Sequence, residues 1–147
     1  MKNSAPDGEA ASDLAQRLAH ADPLAADLGV EYLAAGAGHA TLRLQVVRRH
    51  LNFMNTCHGG VIFALADCAF ALAANSHGAV AAAIDAHITY QIAVVAGDTL
   101  TATAQELSRS NKLAVHRVDV TRQDGALVST FTGTVYITAK RHAEPVS

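Results

Sequence analysis

The residues whose types and spacing could do chemistry lie in one stretch, His58-Gly59-Gly60 followed by an apolar run from Val61 to Ala74. Asp67 is the only polar residue in that run. The run is rich in Ala and Leu, which favours helix. It has no polar face, so it is expected to be buried on all sides. A lone carboxylate in such a place is costly to keep and calls for a reason. A Gly-Gly helix start leaves backbone N–H groups unpaired and uncovered by side chains. That end carries partial positive charge and suits a carbonyl oxygen or an oxyanion.

Asp67 follows Gly59 by eight residues, which is roughly 12 Å along a helix axis and about 80° round it. One helix therefore cannot bring its own Asp67 to its own Gly59 N–H. Two antiparallel copies could, with the start of one helix beside the middle of the other. If the two groups share a site, that site lies between the subunits of a twofold dimer.

A chain of 147 residues suits one domain with a sizeable core. Half the residues are hydrophobic and 16% are charged, which excludes a disordered chain. The net charge of -2 leaves no basic footprint for nucleic acid or an anionic membrane. The apolar run is too short to span a membrane, which takes roughly 20 residues. Cys57 and Cys68 are too few for a disulfide framework, and their spacing matches no zinc pattern. No metal and no organic cofactor are expected. The first residues, Met1 to Ala11, do not read as a signal peptide, and a cytoplasmic protein is the expectation.

Along the chain, residues 1–11 read as a flexible tail and Ser12 as the cap of a helix through Ala21. Pro23 to Gly29 is a short turn. Val30–Ala35 and His39–Val47 read as strands, and 48–57 as an irregular loop feeding the long helix. After the stop at Asn75-Ser76-His77-Gly78 come four more alternating segments, Ile84–Val94, Thr99–Gln105, Val115–Thr121 and Leu127–Thr138. Residues 141–147 read as a polar tail, which leaves 12–140 as a single domain. Antiparallel strands need their apolar face covered, and the only long apolar object is the central helix. The expected fold is α+β, one curved antiparallel sheet wrapped around that helix.

Asn52, Cys57-His58-Gly59-Gly60, Leu65-Ala66-Asp67 and Gly97-Asp98-Thr99-Leu100 together resemble the hotdog-fold acyl-CoA thioesterases of the PaaI type, those of phenylacetate degradation above all. The resemblance covers about Leu51 to Lys140. It implies hydrolysis of an aryl-acetyl or medium-chain acyl-CoA to the free acid and coenzyme A. Asp67 would be the nucleophile or general base. The Gly59 N–H would polarise the thioester carbonyl, Asn52 would orient water or hold the thioester, and His58 would support the pocket near the carbonyl. Arg109, Ser110, Asn111 and Lys112 would meet the phosphates of coenzyme A. The implied assembly is a homodimer forming the active sites, paired into a homotetramer.

Two departures bear on substrate identity. Ala83 stands where some relatives carry a hydroxyl residue, and no Pro follows Tyr90. Other readings remain beside these. Asn52 can be a turn residue bonded to its own backbone. Gly59 and Gly60 can serve close packing, and Arg109 and Lys112 can be solvated turn charges. Asp85 and His87 belong to the polar face of a strand. The alternative function is a non-catalytic acyl-CoA-binding or regulatory hotdog protein, which would not need Asp67. A hotdog dehydratase would want a His–acid pair in a different loop pattern.

Overall fold

The computed structural model describes residues 8–146. Two helices, α1 (Gly8–His20) and α2 (Pro23–Leu28), precede strands β1 (Glu31–Gly36) and β2 (His39–Gln45). A short 3-10 turn (Arg48–His50) and a loop lead into α3 (Gly59–Asn75). Strands β3 (Ala79–Tyr90), β4 (Thr99–Arg109), β5 (Leu113–Arg122) and β6 (Leu127–Arg141) follow. All neighbouring strands pair antiparallel in one six-stranded sheet of order β1-β2-β4-β5-β6-β3. The sheet curves around α3, the hotdog arrangement that the resemblance implied.

Alternation along the strands builds the inner face. Leu42 and Leu44, Leu100 and Ala102, Val118 and Val120, and Phe131 and Val135 are all buried there. They meet Ile62, Leu65, Ala66, Ala69, Phe70 and Ala73 of α3. Gly133 has no side chain because the Phe70 ring lies where one would stand, 2.7 Å from a Cβ built there. His116 of β5 also faces inward, fully buried against the edge of Phe70. Its Nε2 lies 3.5 Å from Glu106 Oε2, and burial outweighs that carboxylate and lowers its pKa.

The structure corrects several expected boundaries. The helix expected to start at Ser12 begins at Gly8, so Gly8–Ala11 are helical rather than tail. Glu9 in the first turn suits the helix dipole, and Ala11, Leu14 and Ala15 make a buried stripe. Residues 1–7 lie outside the described part. Strand β3 begins five residues earlier than expected, at Ala79, and ends at Tyr90 instead of Val94. Pairing with β6 carries its Ala-rich start, with a register shift between Ala79 and Ala81, where β6 holds the extra residues, and a bulge at Ile84.

At the other end, residues 142 and 143 are pinned. The His142 N–H donates to the Gly78 carbonyl at 2.9 Å and its Nε2 meets Asn75 Oδ1 at 2.7 Å. Arg17 bonds the Ala143 carbonyl. Ser147 lies outside the described residues. Helix α3 is also not buried on all sides. Gly60 and Ala71 are exposed and Phe63, Ala64 and Asp67 half-buried, a stripe at helical spacing that its own chain leaves uncovered.

Candidate active site at the start of the central helix

The chain enters α3 through a loop tied at nearly every residue. His50 is a buried post beneath it. Its Nδ1 accepts from the Val47 N–H at 3.0 Å, so the proton sits on Nε2, which donates to the Leu28 carbonyl at 2.9 Å. The His50 carbonyl in turn accepts from the His58 N–H. The Cys57 N–H donates to the Val94 carbonyl at 2.7 Å, joining the loop to the segment after β3. Asn55 takes a left-handed conformation, φ 59°, at the tip of the loop, which Asn tolerates.

Asn52 lies in this loop, and most of its side chain is engaged there. Its Oδ1 accepts from the Met54 N–H at 2.9 Å and the Thr56 N–H at 3.2 Å. Its Nδ2 donates to Thr56 Oγ1 at 3.1 Å. An amide nitrogen has two protons, so one remains for another acceptor. Asn52 is therefore the turn residue of the alternative reading and still lines a cavity.

His58 caps α3. Its Nδ1 accepts from the Gly60 N–H at 2.9 Å, and its carbonyl accepts from the Val61 N–H. Of the two glycine N–H groups, Gly60's is thus taken. The Gly59 N–H has no partner among the described residues. Gly59 lines an open cavity of about 350 Å³ together with Asn52, Thr56, Ile62, Tyr90 and Gln91.

Tyr90 stood in the sequence only as the strand aromatic with no Pro after it, and not as a site residue. Its hydroxyl donates to the Gly59 carbonyl at 2.9 Å. Burial raises its pKa, so it remains a donor. His50 and Thr56 were equally unmarked. Each acts through contacts to chain positions that composition does not reveal.

Asp67 lies two turns further along α3, on the uncovered stripe. No hydrogen bond from the described residues reaches its carboxylate. Its pKa is raised, first by burial and then by the negative charge of Asp22. Asp22 caps α2 through the Ala25 N–H and accepts weakly from Cys68 Sγ at 3.7 Å. Both cysteines are free and buried. Burial pushes the Cys57 thiol up to about 11, and burial with Asp22 and Asp67 pushes Cys68 to about 12. Neither provides a thiolate nucleophile at neutral pH.

The turn between β4 and β5 stands at the other end of α3. Glu106 on β4 holds His77, just past the helix, at 2.8 Å. It also reaches Arg109 at 3.5 Å. Ser110 closes the turn onto Leu113, and Lys112 Nζ lies 5.7 Å from the centre of the Tyr136 ring. No bond from Asn111 is formed within the described residues. The chain thus brings Asn52, His58 and Gly59 together. It does not bring Asp67, or the 109–112 turn, to its own Gly59. Asp98, in the Gly97-Asp98 turn, is structural: it accepts from the Val95 N–H and Gln123, which lowers its pKa. Among the described residues, no three His, Cys, Asp or Glu side chains group to hold a metal. Among the described residues, no helix is long and apolar enough to cross a membrane.

Comparison with known proteins adds the family. The model of the thioesterase superfamily matches residues 54–129. Acyl-coenzyme A thioesterase PaaI of Escherichia coli is 38% identical over 112 residues, 76% of this chain and 80% of the relative. The structure of the E. coli PaaI protein, from the phenylacetic acid degradation operon, superposes with a TM-score of 0.83. It covers 88% of this chain and 97% of its own, at 35% identity. A Streptococcus pneumoniae protein described as a hypothetical thioesterase, solved with coenzyme A, gives a TM-score of 0.80. It covers 86% of this chain and 99% of its own, at 28% identity. Human acyl-coenzyme A thioesterase 13 is 29% identical over 96 residues, 64% of this chain and 69% of the relative.

Proposed function

The chain belongs to the thioesterase superfamily, and from that premise we propose that it hydrolyses acyl-CoA thioesters at sites shared between two copies of itself. The observation that carries this reading is the unpaired Gly59 N–H at the start of α3, on a cavity that also receives Asn52. In the reaction, the thioester carbonyl oxygen accepts from the Gly59 N–H of one subunit. Asp67 of the second subunit either attacks the carbonyl carbon or takes a proton from the water that attacks it. The tetrahedral oxyanion is held by the same N–H, and its collapse releases the coenzyme A thiolate, which then takes up a proton. Where Asp67 itself attacks, the collapse leaves an acyl anhydride on Asp67, which water then hydrolyses to the free acid and the carboxylate. The free Asn52 N–H is a second donor for the water or the carbonyl. His58 fixes the helix start.

Pairing of two copies is supported by what one chain leaves open. β3 is an edge strand whose Ile84 is 59% exposed, and it lies beside the uncovered stripe of α3. Antiparallel pairing along that stripe lets Gly59 of one copy approach Asp67 of the other. His77 follows Asp67 by ten residues, roughly 15 Å at about 1.5 Å per residue. The Arg109–Lys112 turn beside His77 is then a pantetheine arm's length from the carboxylate, as a phosphate site requires. Arg109, Lys112, Ser110 and Asn111 are the proposed phosphate contacts, although Arg109 is already shared with Glu106. The substrate class we favour is aryl-acetyl or medium-chain acyl-CoA, from likeness to PaaI. We further propose a single catalytic domain, a homotetramer of two dimers, and a cytoplasmic setting, where two free thiols stay reduced.

The test is thiol release from a panel of acyl-CoAs by the wild type, Asp67→Asn and Asp67→Ala. Both variants are expected to lose about 10²- to 10⁴-fold in kcat. Equal rates in all three would overturn the role of Asp67. Tight binding of acyl-CoA with no turnover by the wild type would favour the non-catalytic binding module.

A further inference from the structure

Tyr90 is the last residue of β3, and its side chain crosses to the first turn of α3. The hydroxyl donates to the Gly59 carbonyl at 2.9 Å. The ring lies 3.2–3.4 Å from the point where a Cβ on Gly59 would stand, so Gly59 is the residue that lets Tyr90 approach. The opposite end of the same peptide group, the Gly60 N–H, donates to His58 Nδ1 at 2.9 Å. Two side chains, 32 residues apart in sequence, therefore hold one peptide plane from both ends.

That plane is where the backbone would otherwise be loosest. Two successive glycines have the widest conformational freedom of any pair. The first N–H groups of a helix have no partner in the helix itself. A carbonyl oxygen has two lone pairs, so the bond from Tyr90 leaves one for the helix ladder. The N–H left unpaired is Gly59's, and Tyr90 and Gly59 line the same cavity.

We propose that Tyr90 is a positioning residue, which with His58 clamps the Gly59–Gly60 peptide and so, through the shared Gly59 Cα, steadies the preceding His58–Gly59 peptide, whose carbonyl is tied to the Val61 N–H and whose Gly59 N–H faces the thioester oxygen. The inference rests on the thioesterase reading. A donor that must meet a developing oxyanion is effective only when its direction is fixed beforehand. If packing alone mattered, the ring without the hydroxyl would suffice.

Tyr90→Phe separates the two, since it keeps the ring and deletes the bond. The expected result is a fall in kcat of about three- to tenfold, the value of one hydrogen bond, with KM changed by less than about twofold. Backbone ¹⁵N order parameters at Gly59 and Gly60 are expected to fall in the same variant. Unchanged kcat with unchanged order parameters would overturn the clamp. A rise in KM alone would also overturn it and make Tyr90 a substrate contact. The order parameters need no substrate, so the clamp stands or falls on them even if the wild type released no thiol, an outcome that overturns the thioesterase reading instead.

Discussion

Asp67 is kept at a cost. Its carboxylate is half-buried on α3, has no hydrogen-bond donor among the described residues, and lies within the field of Asp22. Burial and that neighbour raise its pKa, so the folded chain holds the proton more tightly than the unfolded one does. Stability is therefore lost as pH rises from the unfolded carboxylate value of about 3.9 through the raised folded value. Asp67→Asn removes this loss. Its urea midpoint is expected to exceed the wild type's at pH 7, with the gap closing below about pH 4. A variant equal to or weaker than the wild type at pH 7 would contradict this reading of the site. Thiol release runs the other way, because either role of Asp67 needs the ionised form. The rate is expected to fall as pH drops through the raised pKa.

What the sequence revealed at this scale was residue type more than contact. Asp67 stood out because nothing else in the run is polar. The hydrogen bonds that engage Asn52 were one of two readings of a turn residue, and both are present in the loop. The role of Tyr90 was invisible because its bond to Gly59 spans 31 residues of sequence, and only the packing of β3 against α3 creates it.

The elements were legible wherever periodicity was strong. The order of helix, two strands, long helix and four strands follows from the Ala/Leu run and from alternation in the later strands. It failed where local preference and tertiary pairing disagree. Ala79–Ala83 has no alternation and reads as no strand, yet β6 pairs with most of it. Gly8 disfavours helix and 8–13 hold no large apolar residue, so the true start of α1 left little mark. The start of α3 shows the converse. His58 is an unusual cap, and the bond from the Gly60 N–H to its ring secures the Gly-Gly turn. His58→Ala is expected to lower stability by about 0.5–2 kcal/mol and to reduce thiol release. Equilibrium urea unfolding measures the first effect. A stability change within error would show that Tyr90 alone secures this end.

At the scale of the molecule, the proposed function makes one chain half of two sites. It would contribute Gly59 from the start of α3 and Asp67 from the middle, which one helix cannot bring together. The uncovered stripe of α3 and the exposed edge β3 are the surfaces on which a second copy would complete both. The helix was expected to be buried all round, because its sequence is apolar all round. A sequence pattern cannot tell burial by its own chain from burial by another.

The most direct measurement of that claim mixes two inactive variants. Gly59→Pro deletes the free N–H at a position where proline suits a helix start, and His58 at φ -59°, ψ 132° already has the extended backbone that precedes proline. The added Cβ shifts the Tyr90 ring of that subunit by a few tenths of an ångström, at a helix start that the intact site of a mixed dimer does not use. Asp67→Asn removes the carboxylate. Each alone should be nearly inactive. After co-refolding at equal amounts, half the dimers are mixed, and each mixed dimer has one site with both groups intact. Shared sites therefore give the mixture about a quarter of wild-type thiol release. A mixture no more active than either variant alone would contradict the shared site.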